Sequence, residues 1–167
     1  MGLHEAPRGR EPISPDEAEE TLSPIFLEMR QIAASRGFSR VVRVPLRLSY
    51  DAGRTGRDLG YFHRVVCEVC LSPRLALFPA HVQEGVVAHE LGHAIAELYP
   101  AWQLLDGDAV YRPGEYRPPR DHEDIELLAD MVAERVIGLR IHYHGRLHIQ
   151  STLSGVRPRP RGLRGEP

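Results

Sequence analysis

A chain of 167 residues, 42% apolar and 26% charged, is long enough to bury one core without disulfides and too short for a multidomain machine. Its 21 basic residues are all arginine, and neither lysine nor asparagine occurs, which excludes lysine Schiff-base chemistry, a Walker-type phosphate lysine and N-glycosylation. The formal charge of −2 predicts no general attraction to nucleic acid or anionic lipid, and two cysteines cannot staple a disulfide scaffold.

Residues 1–13 mix Pro7, Pro12, Gly2, Gly9 and charges without apolar periodicity and read as a flexible arm. They lack the apolar run of a signal peptide, and no later run reaches the ~20 residues that cross a bilayer, so a soluble cytoplasmic protein with no membrane partner is expected. Ser14-Pro15-Asp16-Glu17 carries the cap, the N1 proline and the N3 acid of a helix start. Ser23-Pro24 repeats the signal, which predicts two short helices or one kinked helix ending at Gly37. Val42, Val44, Leu46, Leu48 and Tyr50 alternate with polar residues as a half-buried strand, with Pro45 placing it at an edge or an irregularity. After the glycine-rich DAGRTGRDLG loop, Tyr61, His63, Val65, Cys67, Val69 and Leu71 share one face of a second strand, and Leu75 to Phe78 can add a third. A helix is predicted from about Pro79 to Tyr99, closed by Pro100, and another from about Asp121, with Ile125, Leu128, Ala129, Val132, Ala133, Val136 and Ile137 on its apolar face. Between them Ala101–Arg120 carries turn signals. The Arg/Pro-rich run 151–167 reads as an extended tail without the aromatic interleaving of a specific nucleic-acid binder, leaving 14–150 as the folded domain.

His89-Glu90-Leu91-Gly92-His93 concentrates the chemistry. Positions i and i+4 on a helix put both imidazoles on one face, where they can bind the same zinc ion (Zn2+). Glu90, between them, is placed to take a proton from the water that attacks a carbonyl. Two histidines are not a complete site. Glu126 and Asp130, one turn apart on the second helix, supply what is missing if the helices cross: Glu126 completes a His2Glu set with an open position, and Asp130 accepts the spare N–H of a ligating histidine. Glu97 also lies four residues beyond His93, but the end of one helix cannot easily wrap the coordination sphere, so Glu126 is the better ligand. His122, one turn before Glu126, is a candidate substrate or oxyanion contact. Tyr99, Tyr111, Tyr116, His142, His144 and His148 are weaker ones, and Leu71–Phe78 is the nearest strand for an extended peptide. Cys67 and Cys70 sit in an alternating run and read as free thiols, not as a metal pair.

HELGH followed by ELLAD after a small sheet resembles a minimal zincin of the gluzincin type, and ELLADMVA is similar to the downstream helix of ImmA/IrrE-type metallopeptidases. The likeness covers about Phe38 to Tyr143, with Val132 where that group often has Phe and without an accompanying helix-turn-helix domain. It implies His89, His93 and Glu126 as ligands, Glu90 as general base and Asp130 as the group orienting an imidazole. The metzincin pattern fails because HELGHAIAELY lacks its third histidine. The expectation is therefore an α+β, zincin-like domain with a short, mainly antiparallel sheet and a helix pair carrying the metal site. Its leading function is a zinc-dependent hydrolase acting on a peptide or protein substrate. The rival is a non-catalytic metal-binding zincin-like scaffold or protein-interaction module.

Overall fold

Ser14 opens the first helix with a reciprocal cap: its hydroxyl accepts from the Glu17 N–H at 3.2 Å while the Glu17 carboxylate accepts from the Ser14 N–H at 2.9 Å. The computed structural model describes residues 12–99 and 122–138. Helix α1 (Pro15–Ser35) runs on through Pro24 as one element. Pro24 removes one backbone donor, but Ala18, Leu22, Phe26, Met29 and Ala33 form a single buried stripe on both sides of it, and burial carries the helix across. Gly37, at φ +99°, closes it: the Phe38 N–H donates to Ala33 and the Gly37 N–H to Ala34, a Schellman ending that needs a left-handed residue.

The predicted first strand is shorter than its alternation suggested. Residues Arg40–Arg43 form a helical turn, α2, and β1 covers only Arg47–Tyr50. Pro45 cannot donate to a ladder, and the Arg30 guanidinium holds the Val41 carbonyl from the α1 side, so pairing begins only past the proline. A helical turn α3 (Ala52–Thr55), capped by Asp51, leads to β2 (Gly60–His63) and β3 (Glu68–Leu71). The predicted second strand is thus two strands folded back on each other. Residues 64–67 make the turn, with Cys67 at φ +51°. Tyr61 consequently pairs with Cys70, and Val65 is 88% exposed at the tip, so the expected single face from Tyr61 to Leu71 is corrected. Leu75 to Phe78 is not a strand either. Pro73–Leu77 forms a 3-10 turn, and the buried Gln83 amide donates to the Ala76 and Phe78 carbonyls at its end.

The sheet order is β1-β3-β2, with β3 parallel to β1 and antiparallel to β2. The short sheet is therefore mixed, because the hairpin brings β3 back between its own partner and β1. Leu48, Val69, Leu71 and Phe62 turn toward the core face, where helix α4 (Ala80–Leu98) packs. Helix α5 (His122–Val132), continued by a π-helical turn Ala133–Ile137, lies against α4 and α1. Its inner side buries Leu127, Leu128, Met131, Val132, Val136 and Ile137, whereas Ile125, expected on the apolar face, is exposed. Among the described residues no helix is long and apolar enough to cross a membrane. Residues 1–11 of the 1–13 arm, the Ala101–Arg120 segment and the Arg/Pro-rich tail lie outside the described residues, as do Tyr111, Tyr116, His142, His144 and His148.

Candidate metal centre between the two long helices

Helix α4 is buried almost all round through its middle: Val86, Val87, Ala88, Leu91, Ala94 and Ile95 are core, and His89 and Glu90 are buried with them. Polar groups at such depth need partners, and α5 supplies those of His89 because it comes unusually near. A Cβ on Gly92 would collide with the Ala129 carbonyl and lie 3.0 and 3.2 Å from the Ala129 carbonyl carbon and Cα. That missing methyl lets two backbones touch, and the residues flanking Ala129 on the same side, Glu126 and Asp130, then face His89 and His93.

His89 Nδ1 donates to Asp130 Oδ1 at 2.8 Å, which leaves Nε2 directed at Glu126 Oε2, 2.9 Å away. His93 Nε2 lies 3.1 Å from His89 Nε2 and 3.3 Å from Glu126 Oε1, with the two rings edge to face. One ligand atom from each of His89, His93 and Glu126 falls within 4.8 Å of the other two, so these three residues could hold a metal ion. The chemistry of the set fits one. Two imidazole lone pairs and a carboxylate oxygen converging near 3 Å repel each other unless a proton or a cation sits among them, and tetrahedral zinc at ~2.0–2.2 Å from N and O ligands wants edges of roughly 3.4 Å. Burial pulls the His89 pKa down, but the hydrogen bonds to Asp130 and Glu126 and the nearby Glu90 charge push it up to about 10. Burial likewise raises the Glu126 carboxyl, yet the His89 and His93 bonds hold it well below the usual carboxylate range.

Strand β2 forms the adjoining wall. Phe62 stacks on His93 with ring planes 5° apart and centroids 6.5 Å apart. Glu90, only 7% exposed, lies across Gly60. Burial raises the Glu90 carboxyl pKa, against the lowering pull of His89 and His93 and reinforced by Glu126 and Asp58. Among the described residues no hydrogen bond joins Glu90 to the three converging side chains. Glu97 is engaged elsewhere, 2.9 Å from Arg64 at the hairpin tip, so the competing ligand is not in the cluster. Tyr99 is not an oxyanion donor at this centre either: it is buried at the far end of α4, where its hydroxyl accepts from the Arg40 N–H at 2.7 Å and Phe38 meets its ring edge-on. His122 begins α5, and its side chain lies outside the described residues. Cys67 and Cys70 are free thiols, half-buried and buried.

Gly60 and Phe62 are absent from the sequence-predicted site. Gly60 ends a segment that reads as a loop, yet a lone glycine at the entrance to an alternating run is itself a sign of close approach by a neighbouring group.

This α+β arrangement, a short mixed sheet beside a helix pair bearing a His/His/Glu cluster, is zincin-like. Compared with known proteins, the chain matches no protein-family profile, no curated sequence and no solved structure. The cluster defines a potential metal site on its geometry alone.

Proposed function

We propose that this chain is a zincin-like zinc-binding module in which His89, His93 and Glu126 hold one ion and Asp130 fixes the His89 tautomer. The observation that carries it is the convergence of the three ligand atoms from two helices, backed by a buried carboxylate on the remaining His89 nitrogen. Metal binding in a scaffold or interaction module requires nothing more, and for that reason it is the reading the geometry supports best. Metal analysis of the purified protein tests it. Close to one zinc per chain, lost in His89→Ala and Glu126→Ala, is expected; an intact fold that takes up no zinc on reconstitution overturns it.

A specific observation favours a second reading, a zinc-dependent hydrolase of the gluzincin kind acting on peptide bonds. Glu90 is held beside the ligands on the side facing β2, buried and with its proton affinity raised, as suits a general base. Zinc, when bound, supplies a Lewis acid for the scissile carbonyl. Glu90 would then take the proton of the attacking water and return it to the leaving amine. The outer edge of β2 can hold the substrate. The Ser72 N–H donates to the Leu59 carbonyl, so by antiparallel alternation Leu59, Tyr61 and His63 bond to β3, while Gly60 and Phe62 turn their N–H and C=O outward. No described strand pairs there, and an extended peptide adds to such an edge. This edge replaces the Leu71–Phe78 segment expected from sequence. Glu90→Gln separates the readings. Zinc kept and peptide hydrolysis lost supports the hydrolase, whereas zinc-loaded wild type without turnover on a broad peptide library leaves the binding module.

A further inference from the structure

We infer that Gly60 is a positioning residue, a seat whose missing side chain holds the Glu90 carboxylate against strand β2 beside the metal ligands; its bearing on turnover rests on the hydrolase reading. Glycine in a strand loses more conformational freedom on folding than any other residue and packs nothing, so its presence there calls for a reason. Backbone conformation is not that reason, because among the described glycines only Gly37, Gly56 and Gly138 have positive φ. Gly60 has an ordinary extended backbone in register with Leu71, which alanine can adopt. Space is the reason. A Cβ at Gly60 would lie 2.7 Å from Glu90 Cγ, 3.0 Å from Cδ and 2.8 Å from Oε1.

Contact with the stem as well as the carboxylate is decisive. Rotating the terminal group relieves Oε1 but not Cγ, so the whole side chain must shift. Glu90 is only 7% exposed between its own helix and β2, so its stem cannot move without disturbing packed neighbours. An alanine at 60 therefore pushes the carboxylate off its place while leaving His89, held by Asp130, and Glu126, carried by α5, where they are. Ser72 N–H bonding to Leu59 and the register to Leu71 keep β2 from simply backing away.

A melting cycle in the metal-free full chain tests the seat without reference to activity. Gly60→Ala is expected to lower the melting temperature by about 3–8 °C when Glu90 is present. With Glu90→Ala, and in part with Glu90→Asp as a second background should the alanine variant fold poorly, the same change should be neutral or raise it. An equal loss in all backgrounds overturns the inference. In the zinc-loaded protein Gly60→Ala should keep full metal content and KM while kcat falls by about 10²-fold, the effect of a ~1 Å misplacement. A drop in zinc content, or unchanged kcat, counts against the seat. If wild type has no turnover the hydrolase reading fails, and the melting cycle still decides whether Gly60 positions Glu90.

Discussion

Replacing Gly92 by alanine sets two well-known effects against each other with opposite signs. In an ordinary helix interior the change stabilises by about 0.8–1 kcal/mol, because alanine loses less backbone entropy. Here the new Cβ meets the Ala129 carbonyl and would lie 3.0 and 3.2 Å from its carbon and Cα, where 3.4–4 Å is ordinary contact. The obstacle is backbone, so no rotamer relieves it and the helices must separate by roughly 0.5–1 Å, a strain of about 1–3 kcal/mol for an overpacked core. Opposite this contact the His89–Glu126 and His93–Glu126 approaches are 2.9 and 3.3 Å, and metal ligands tolerate only about ±0.2 Å. Gly92→Ala should therefore lose about 10²-fold or more in zinc affinity and melt below wild type in the metal-free form. The assays are competition with a chromophoric chelator and thermal unfolding followed by circular dichroism. Ala129→Gly should not rescue it, because the contact is with main-chain atoms. Gly92→Ala that melts higher than wild type, as helix propensity alone demands, and binds zinc unchanged refutes the contact between α4 and α5 as the organiser of the site.

Asp130→Ala leaves the His89 Nδ1–H without its acceptor and should weaken zinc binding by about 10–100-fold in the same chelator competition, with no change in the ligand set. Glu126→Gln should exceed that loss, while Glu97→Gln, whose carboxylate is paired with Arg64, should stay within about twofold of wild type; the reverse order would name Glu97 as the ligand. Acidity enters with a definite sign. The folded His89 pKa is above its ordinary 6.5, so its stabilising contribution is complete below that value and disappears as pH rises through about 10. Glu126 is depressed, so its contribution is present above 4.5 and is lost on acidification. The metal-free protein should accordingly lose stability from neutrality toward pH 10. Zinc must displace the His89 proton, so its apparent affinity should climb by up to about tenfold per pH unit below that pKa, and a flat profile in titration calorimetry contradicts the assigned partners.

What was legible in the sequence follows the range of the interactions. Capping at Ser14, the Gly37 ending and the start of α4 just past Pro79 are local chemistry and stand in the structure as expected. The pairing of HELGH with Glu126 and Asp130 was legible because helical spacing fixes which side chains share a side, and one assumption, that the helices cross, joined them. The sheet was less so. Residues 64–67 turn without Gly, Pro, Asn or Asp, and Cys67 takes the left-handed conformation in their place, so alternation ran straight through a hairpin. Pro73 and the Gln83 amide made a 3-10 turn of an apolar run that short-range pattern cannot tell from a strand.

Two glycines, Gly60 and Gly92, mark the walls of the same site, and neither has a positive φ that would demand glycine. Each lowers the stability of its own strand or helix, and each lets a group reach the site that a single methyl would exclude: the Ala129 backbone on one side, the Glu90 side chain on the other. Local propensity and site geometry disagree at both positions, and geometry wins. Conflicts of this kind are expected where a fold serves function before stability, and here they fall on α4, which carries His89 and His93, and on β2, which packs against it. The α5 side fixes the ligands and the β2 side fixes Glu90, so the two walls can be perturbed separately. A methyl at 92 should cost metal affinity, and a methyl at 60 should displace Glu90 while metal affinity stays.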